Sequence, residues 1–271
     1  MIFVTDKGRM CNNILHYGHV YAWGREHGVK TISMRFAYKY PYFHISHTRH
    51  HNFLTYLVAK YAAHWHLIPT VDFRDIYPDT TAMEHVMQES RYCLVTGWWV
   101  PWHDLFLKYK QDIIRLFAFT DDVREPVGRL LANTPTADLR LGVHIRRGDY
   151  RIWHDGKYYY TDQQYISYIR QFLAMHPGRR VNVFICGNDP DLDQALFREQ
   201  LPDVHLEFPK GNPGEDLCLL SACDYLIGAP STYTLIAAMY HDLPLCWIMD
   251  ADQPLTEAHF KHFDELIYHT L

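Results

Sequence analysis

The chain of 271 residues lacks an unbroken apolar run of 18 or more residues, so the sequence predicts no membrane-spanning helix. Residues 1–7 form a short apolar segment followed by charge, which is not the basic-then-apolar order of a signal peptide. The chain also lacks an excess of positive charge: its net charge is -5 at pH 7. A nucleic-acid partner is therefore not expected, and any cationic site must be local.

The six cysteines include no CxxC pair and are scattered through mostly apolar segments. This pattern predicts buried thiols in a reducing compartment. Together with the missing signal sequence, it predicts a cytoplasmic protein. Peripheral association with the inner face of a membrane stays open, as does the oligomeric state.

Histidine is abundant, with 19 residues, and four of them crowd together at His44, His47, His50 and His51. A metal site would normally add a carboxylate or cysteine ligand at a suitable spacing, and this segment has none. We interpret it as a polar loop and predict no metal site.

Short apolar segments alternate with segments of helical periodicity. Strands are predicted at 1–5, 31–34, 92–96, 139–145, 181–186, 204–208, 225–227 and 245–248, and helices at 12–26, 51–66, 105–117, 121–132, 161–175, 192–200, 216–222 and 231–240. The alternation predicts an α/β fold with parallel sheets. A polar, proline-containing linker at 133–136 divides the chain into residues 1–135 and 136–271.

A dense polar cluster ends the predicted strand 139–145, with His144, Arg146, Arg147 and Asp149. In open α/β sheets, ligands bind beyond the carboxyl ends of the strands. Arginine keeps its charge and presents a rigid fork of donors that matches phosphate oxygens. The cluster therefore predicts a diphosphate site. The alternative is a solvated strand end in which one arginine pairs with Asp149.

Three further polar clusters stand at the ends of predicted elements. Asn188 and Asp189 follow a strand, where a carboxylate can hold ribose hydroxyls, although they are also ordinary turn residues. Ser231 and Thr232 open a helix and either help to bind an anion or simply cap the helix. Asp216 lies in the first turn of another helix and is either a guanine ligand or an acid placed favourably in the helix dipole.

Residues 8–13 (GRMCNN) contain a glycine turn between the first predicted strand and helix. The spacing is not GxGxxG, and the chain contains no GxxxxGK[ST] segment. Dehydrogenase and P-loop functions are therefore not favoured.

Taken together, these segments resemble the α-1,2-fucosyltransferases, a family of GDP-fucose-dependent glycosyltransferases. Residues 144–150 (HIRRGDY) resemble the HxRRxDY motif, and residues 8–13 resemble the N-terminal GRxGNQ segment. Residues 188–190 resemble the paired acid and proline that follow a mid-domain strand, and residues 216–232 resemble the D-x-x-x-L-S segment that leads to two serines. The four segments occur in the order of the family.

The resemblance implies a GT-B architecture, in which two Rossmann-like halves each contain a parallel sheet. Residues 1–135 would then form the acceptor side, and residues 136–271 would bind GDP-fucose. It further implies an inverting transfer of fucose to a glycan, α-1,2 to galactose, without a metal or another cofactor.

The resemblance also implies roles for individual donor-binding residues. Arg146 would bind the β-phosphate and stabilise the charge that develops on it. The remaining donor ligands would be His144 and Asp216 at guanine, Asn188 and Asp189 at the ribose or base, Ser231 and Thr232 at the phosphates, and Asn12 at the donor or acceptor.

Candidates for the general base that deprotonates the acceptor hydroxyl are Asp149, His154 and Asp155. Arg147 is expected to be structural, paired with an acid behind the site, because adjacent residues on a strand point to opposite faces. Departures from the family pattern, chiefly Tyr233 after the two hydroxyl residues, leave the acceptor and the linkage open. The alternatives are a non-catalytic nucleotide- or glycan-binding protein of the same fold and a transferase for another nucleotide-sugar or linkage.

Overall fold

The computed structural model describes residues 1–5, 8–187 and 189–269. Two compact units divide the chain, Met1–Asp122 and Val123–Leu271. The division precedes the predicted boundary at residue 135 by nearly the length of one helix. That helix begins at Asp121 and buries Val123 and Val127, so most of it belongs with the second unit.

The first unit is an α/β unit. Its elements, among the described residues, are β1 (Ile2–Val4), α1 (Met10–Glu26), β2 (Thr31–Ser33), α2 (Phe53–His64), β3 (Thr70–Phe73), α3 (Thr81–Glu89), β4 (Cys93–Gly97), α4 (His103–Lys108) and α5 (Lys110–Leu116). The four strands pair in parallel in the order β2-β1-β4-β3. Helix α1 buries Ile14 and Trp23 completely, and the chain leaves it through Gly28, whose φ of 66° is a conformation that favours glycine.

The second unit contains a larger sheet. Its elements are α6 (Asp121–Asn133), β5 (Leu139–Ile145), α7 (Asp162–Met175), β6 (Val181–Gly187), α8 (Gln194–Gln200), β7 (His205–Glu207), α9 (Pro213–Ser221), β8 (Tyr225–Gly228), α10 (Thr232–His241), β9 (Leu245–Trp247), β10 (Phe260–Lys261) and α11 (Phe263–Leu266). The strand order is β10-β9-β8-β5-β6-β7, and only the β10–β9 pair among these is antiparallel.

Strand β5 lies inside this sheet, between β8 and β6. Its residues from Leu141 to Ile145 are all buried, as are most residues of its two neighbours. Strands covered on both faces are nearly continuous apolar runs, which explains why the sequence predicts them well. The predicted α/β class with parallel sheets is confirmed.

The first unit departs more often from the sequence prediction. Neither strand β3 nor helix α3 was predicted from the sequence. Strand β3 was missed because it is a short edge strand in which only Val71 and Phe73 are buried. The helix predicted at 105–117 is two helices that meet at Tyr109. All six cysteines are buried thiols outside disulfide bonds, as predicted. No helix in the described part of the chain combines the length and the apolar composition needed to cross a bilayer.

Candidate functional site

The second-unit residues singled out from the sequence collect at one edge of the larger sheet. Strands β5, β6 and β8 are parallel neighbours, and His144 pairs in register with Cys186 on β6 and Gly228 on β8. A Cβ atom at Gly228 would lie 2.9 Å from the carbonyl oxygen of His144. Glycine therefore allows β8 to approach β5 closely where both strands end.

His144 is buried beneath the first turn of α10. Its imidazole stacks on the ring of Tyr233 with the ring centres 4.7 Å apart and an interplanar angle of 17°. Burial, followed by the nearby charge of Arg146, lowers the pKa of His144 to about 3. The low pKa favours a neutral imidazole, and its Nδ1 atom is buried without a hydrogen-bond partner among the described residues.

Arg146 is tied to its own loop. Its Nη2 donates to both carboxylate oxygens of Asp149 at 2.8 Å, and its guanidinium carbon lies 5.2 Å from the centre of the Tyr150 ring. The Tyr150 hydroxyl in turn donates to the carbonyl oxygen of Pro230. These contacts connect the Arg146 loop to the turn that immediately precedes α10.

Helix α10 presents its N-terminus at this turn. Ser231 caps the helix, with Oγ accepting the N–H of Tyr233 at 3.1 Å, and Thr232 is the first helical residue. The free N–H groups of a first turn and the positive end of the helix dipole favour an anion. Tyr150 therefore links the Arg146 loop to a helix N-terminus, two features that each favour an anion.

Asp216 lies in the first turn of α9, directly after the capping box of Asn212 and Glu215. Burial, followed by the charge of Glu215, raises the pKa of Asp216 to about 7. Its buried Oδ1 has no hydrogen-bond partner among the residues that the structure describes. The Tyr233 hydroxyl donates to the Pro213 carbonyl at 2.6 Å, which ties the first turns of α9 and α10 together.

Arg147 has a different environment. The side chain is only 8% exposed and donates to Asp162 of α7, to Asp189 after β6 at 2.6 Å, and to the Tyr160 carbonyl at 3.1 Å. Burial opposes the charged form, but the bonds to Asp189 and Asp162 outweigh it and raise the pKa of Arg147. The guanidinium therefore cross-links β5, β6 and α7.

Asp189 is occupied by this network. Its Oδ2 accepts from Arg147 and its Oδ1 accepts the N–H of Asp191 at 3.0 Å. Burial would raise the pKa of Asp189, but these bonds, the one from Arg147 first, lower it. The predicted ligand Asn188 lies outside the described residues. Asp162 was not recognised from the sequence, because an acid in a first helical turn needs no further function.

The three candidate bases lie on the loop that follows Arg146. Asp149 accepts from Arg146, whereas His154 and Asp155 are exposed and form part of a 3-10 turn. Both have left-handed backbones, with φ of 48° and 54°, and Gly156 follows at 78°. Consecutive non-glycine residues in this region are strained, and strain of this kind concentrates at functional loops.

A cavity of about 370 Å³ opens beside this loop, in the second unit. Its lining residues offer aromatic, amide and charged groups: Lys157, Tyr159, Tyr160, Gln164, Met249, Asp250, Ala251 and Asp252. Tyr159 also lies against Arg147, with 5.8 Å between the guanidinium carbon and the ring centre. In the sequence, the three consecutive tyrosines 158–160 are the signal for a sugar-stacking surface, and two of them, Tyr159 and Tyr160, line this cavity.

Asn12 lies in the first unit. It is half-buried on the first turn of α1, after the carboxyl end of β1. The neighbouring Asn13 holds this turn, because its Nδ2 donates to the carbonyls of Gly8 and Arg9, both at 2.8 Å.

The histidines between residues 44 and 51 form part of the loop structure. His51 accepts the N–H of Ser33 through Nε2 at 3.1 Å and contacts the Thr48 hydroxyl through Nδ1 at 2.7 Å. Burial, then the charge of His50, lowers the pKa of His51 to about 4. Within residues 1–5, 8–187 and 189–269, no three His, Cys, Asp or Glu side chains are grouped to hold a metal ion.

Residues 70–255 match the sequence model of glycosyl transferase family 11. A curated relative, galactoside alpha-(1,2)-fucosyltransferase 2 of Gorilla gorilla gorilla, is 25% identical over 167 residues, which are 55% of this chain and 45% of the relative. The chain spans about half the length of the curated relatives that it matches.

Two solved structures are similar in fold. A mutant of Arabidopsis thaliana FUT1 in complex with GDP has a TM-score of 0.61 at 12% identity, over 96% of this chain and 73% of that one. POFUT1 in complex with GDP-fucose has a TM-score of 0.63 at 12% identity, over 89% and 94% of the two chains. The likeness confirms the GT-B fold with two Rossmann-like halves.

Proposed function

Because the chain belongs to glycosyl transferase family 11, we propose that it transfers fucose from GDP-fucose to a hydroxyl group of a glycan. The curated relatives named galactoside alpha-(1,2)-fucosyltransferase support galactose as the acceptor sugar and α-1,2 as the linkage. The proposed reaction inverts the sugar carbon and uses no metal ion.

The observation that carries the proposal is the meeting of Arg146 with the N-terminus of α10. Tyr150 joins them, because its ring lies against the guanidinium and its hydroxyl binds the Pro230 carbonyl. Negative charge develops on the β-phosphate as the sugar–phosphate bond breaks. A fixed cation and helical N–H groups stabilise that charge without rearrangement during the reaction.

Asp216 supports guanine as the base of the donor. Its buried Oδ1 atom needs a donor, and the edge of guanine offers two adjacent N–H donors to one carboxylate. Uracil offers a single N–H between two carbonyl oxygens, which would repel the carboxylate. His144, whose Nδ1 has no partner among the described residues, stacks on Tyr233. Tyr233 in turn binds the Pro213 carbonyl in the first turn of α9, the turn that also contains Asp216.

The loop after Arg146 supports an assignment of the general base and of the position of the acceptor sugar. Asp149 orients Arg146, because both of its oxygens accept from that guanidinium. The task of accepting the proton from the acceptor hydroxyl then falls to His154 or Asp155, on the strained segment. The neighbouring cavity, with Tyr159 and Asp250 in its wall, is where we place a sugar ring of the acceptor.

Calorimetry and thermal unfolding with a panel of nucleotides test the proposal. GDP and GDP-fucose are expected to bind and stabilise the protein, and UDP-galactose is not. A ligand at one hundred times its Kd stabilises by about 2.7 kcal/mol. Asp216→Ala should weaken GDP binding, whereas Asp203→Ala, at an exposed loop residue, should not.

Two outcomes would change the assignment. Stabilisation by UDP-galactose but not by GDP would contradict the donor. Tight GDP-fucose binding with no fucose transfer to any galactoside, and no GDP release, would instead support a non-catalytic binding protein.

A further inference from the structure

Helix α2 is apolar on two opposite faces. Its inner face packs Ala59 and Tyr56 against the cluster of Phe3, Ile32 and Met34. Its outer side carries large apolar residues at spacings of four, three and four: Leu54, Val58, Tyr61 and Trp65. At about 100° per residue, these four side chains fall within an arc of roughly 60°, on the opposite side from Ala59.

The outer residues are open to solvent. Leu54 is 70% exposed, Val58 60% and Trp65 64%. Phe53 and Leu67, also exposed, extend the surface at either end, and the six residues are called the α2 patch. A surface helix normally turns polar residues outward, and a contiguous exposed apolar patch marks an interaction site.

The segment of sequence that contains the patch carries charge of one sign. Between Glu26 and Asp72 the sequence contains no aspartate or glutamate, in a chain whose net charge is -5. The same stretch contains five cationic residues: Lys30, Arg35, Lys39, Arg49 and Lys60.

Lys60 lies on α2 itself, and the backbones of Lys39 and Arg49 are adjacent to residues that contact the helix. The Lys60 ammonium lies 5.7 and 5.8 Å from the ring centres of Tyr56 and Tyr61. Lys39 follows Tyr38, whose ring packs 4.4 Å from that of Tyr56. The Arg49 carbonyl accepts from the N-cap residue of the helix at 2.7 Å.

We propose that the α2 patch docks onto the surface of an anionic phospholipid bilayer. Aliphatic side chains enter the boundary of the acyl region, Trp65 and Tyr61 lie at the headgroup level, and the surrounding cations bind anionic headgroups. A second copy of the chain fits this surface less well. Pairing two such patches would bring cations face to face, with no carboxylate from this stretch to neutralise them.

Sedimentation of the full chain with vesicles tests this proposal. Binding is expected to vesicles that contain phosphatidylglycerol, to weaken with salt, and to be far weaker to pure phosphatidylcholine. Leu54→Ser combined with Val58→Ser should reduce binding by about tenfold or more. The matched control is Ile76→Ser, at a residue that is 74% exposed in the same unit but outside the patch, and it should bind like wild type.

A second readout follows Trp65 directly. Brominated lipid should quench part of the tryptophan fluorescence in the wild type, and Trp65→Phe should remove that part. The far-UV circular dichroism spectrum and the thermal unfolding curve serve as the folding controls for each variant, and GDP binding, which we assign to the second unit, should be unchanged. The membrane proposal can therefore fail while the donor assignment stands.

Equal binding of wild type and the Leu54/Val58 variant to anionic vesicles would overturn the proposal. So would a wild-type dimer in solution that this variant converts to a monomer, because the patch would then be a protein–protein interface.

Discussion

Arg146 and Arg147 are neighbours in the chain, but their guanidinium groups bind different carboxylates. Arg146 pairs with Asp149 within its own loop, whereas Arg147 pairs with Asp162 and Asp189. Arg146 binds Asp149 through Nη2 and can offer its other N–H groups to a phosphate, whereas Arg147, which pairs with two buried acids, has a structural role. The contrast suggests separate experiments on the two residues.

Replacing Arg146 with alanine should reduce turnover about 10²–10³-fold, because a positioned charge on the leaving group contributes roughly 3–4 kcal/mol. Lysine should restore little, since a point charge does not reproduce the bidentate fork. Steady-state kinetics on folded protein provide the measurement, with Arg129→Ala, a surface arginine paired with Glu125, as control. If the turnover of Arg146→Ala stays within a few-fold of wild type, Arg146 does not bind the diphosphate of the donor.

Arg147→Met should chiefly cost stability. It leaves Asp162 and Asp189 without their cation, and breaking a buried pair in this way costs about 3–5 kcal/mol. Urea unfolding measures this loss. Arg180→Met breaks the exposed pair with Asp138 and should cost less than about 1 kcal/mol. Similar losses for both variants would show that the Arg147 network is unimportant for folding.

Asp216 should make the stability of the free protein depend on pH. Because its pKa rises from 3.8 to about 7 on folding, the folded state keeps a proton that the unfolded chain has lost between these values. The free energy of unfolding that Asp216 contributes therefore falls as the pH rises from about 3.8 to about 7, and it is constant above pH 7. Asp216→Asn should raise the Tm at pH 8 and remove this part of the slope. An unchanged Tm at that pH would contradict the burial argument.

The same residue should give GDP binding a pH dependence of the opposite sign. Guanine needs the ionised carboxylate, so the affinity of wild type should rise with pH up to about 7. In Asp216→Asn the affinity should be lower, and its pH dependence should reflect only the ionisation of GDP. Calorimetric titrations of both proteins between pH 5.5 and pH 8.5 compare the profiles, and parallel profiles would exclude Asp216 as the guanine ligand.

Tyr150→Phe should loosen the connection between the Arg146 loop and α10. The ring that lies against Arg146 remains, but the Pro230 carbonyl loses its donor, at a cost of about 1–2 kcal/mol. The KM for GDP-fucose should rise several-fold. Tyr109→Phe removes a hydroxyl bond to Glu26 in the first unit and should leave the KM for GDP-fucose unchanged. A similar KM in both variants would argue against the connection.

Activity is expected to persist in EDTA. Three aspartate pairs have the Asp-x-Asp spacing: Asp189 with Asp191, Asp191 with Asp193, and Asp250 with Asp252. In the first and third pairs the Oδ1 of the first residue accepts the N–H of the second at 3.0 Å, so both pairs close turns. Asp193 instead caps α8, where its Oδ1 accepts the N–H of Leu196 at 3.0 Å. A complete loss of transfer in EDTA, reversed by manganese, would require a metal in the reaction.

Several parts of the fold and the site were open to prediction from local sequence. The inner strands of the second sheet are mostly apolar, and the polar residues that end β5 and open α10 stand out against them. Other features were not predictable. The break at Tyr109, the edge strand β3 and the cavity near Tyr159 depend on packing between distant segments.

The sequence by itself determined that residues 144–149 end a buried strand in two arginines, because apolar runs and charges are local properties of the chain. Only the tertiary structure decided the environment of each arginine. The acids that hold Arg147 lie 15 and 42 residues further along the chain. Likewise, the pKa of Asp216 and the exposure of Leu54 depend on what folding brings against each side chain. Burial and pairing over such separations are set by the assembled sheet and helices, since desolvation and ion pairing act only between groups that the fold brings together.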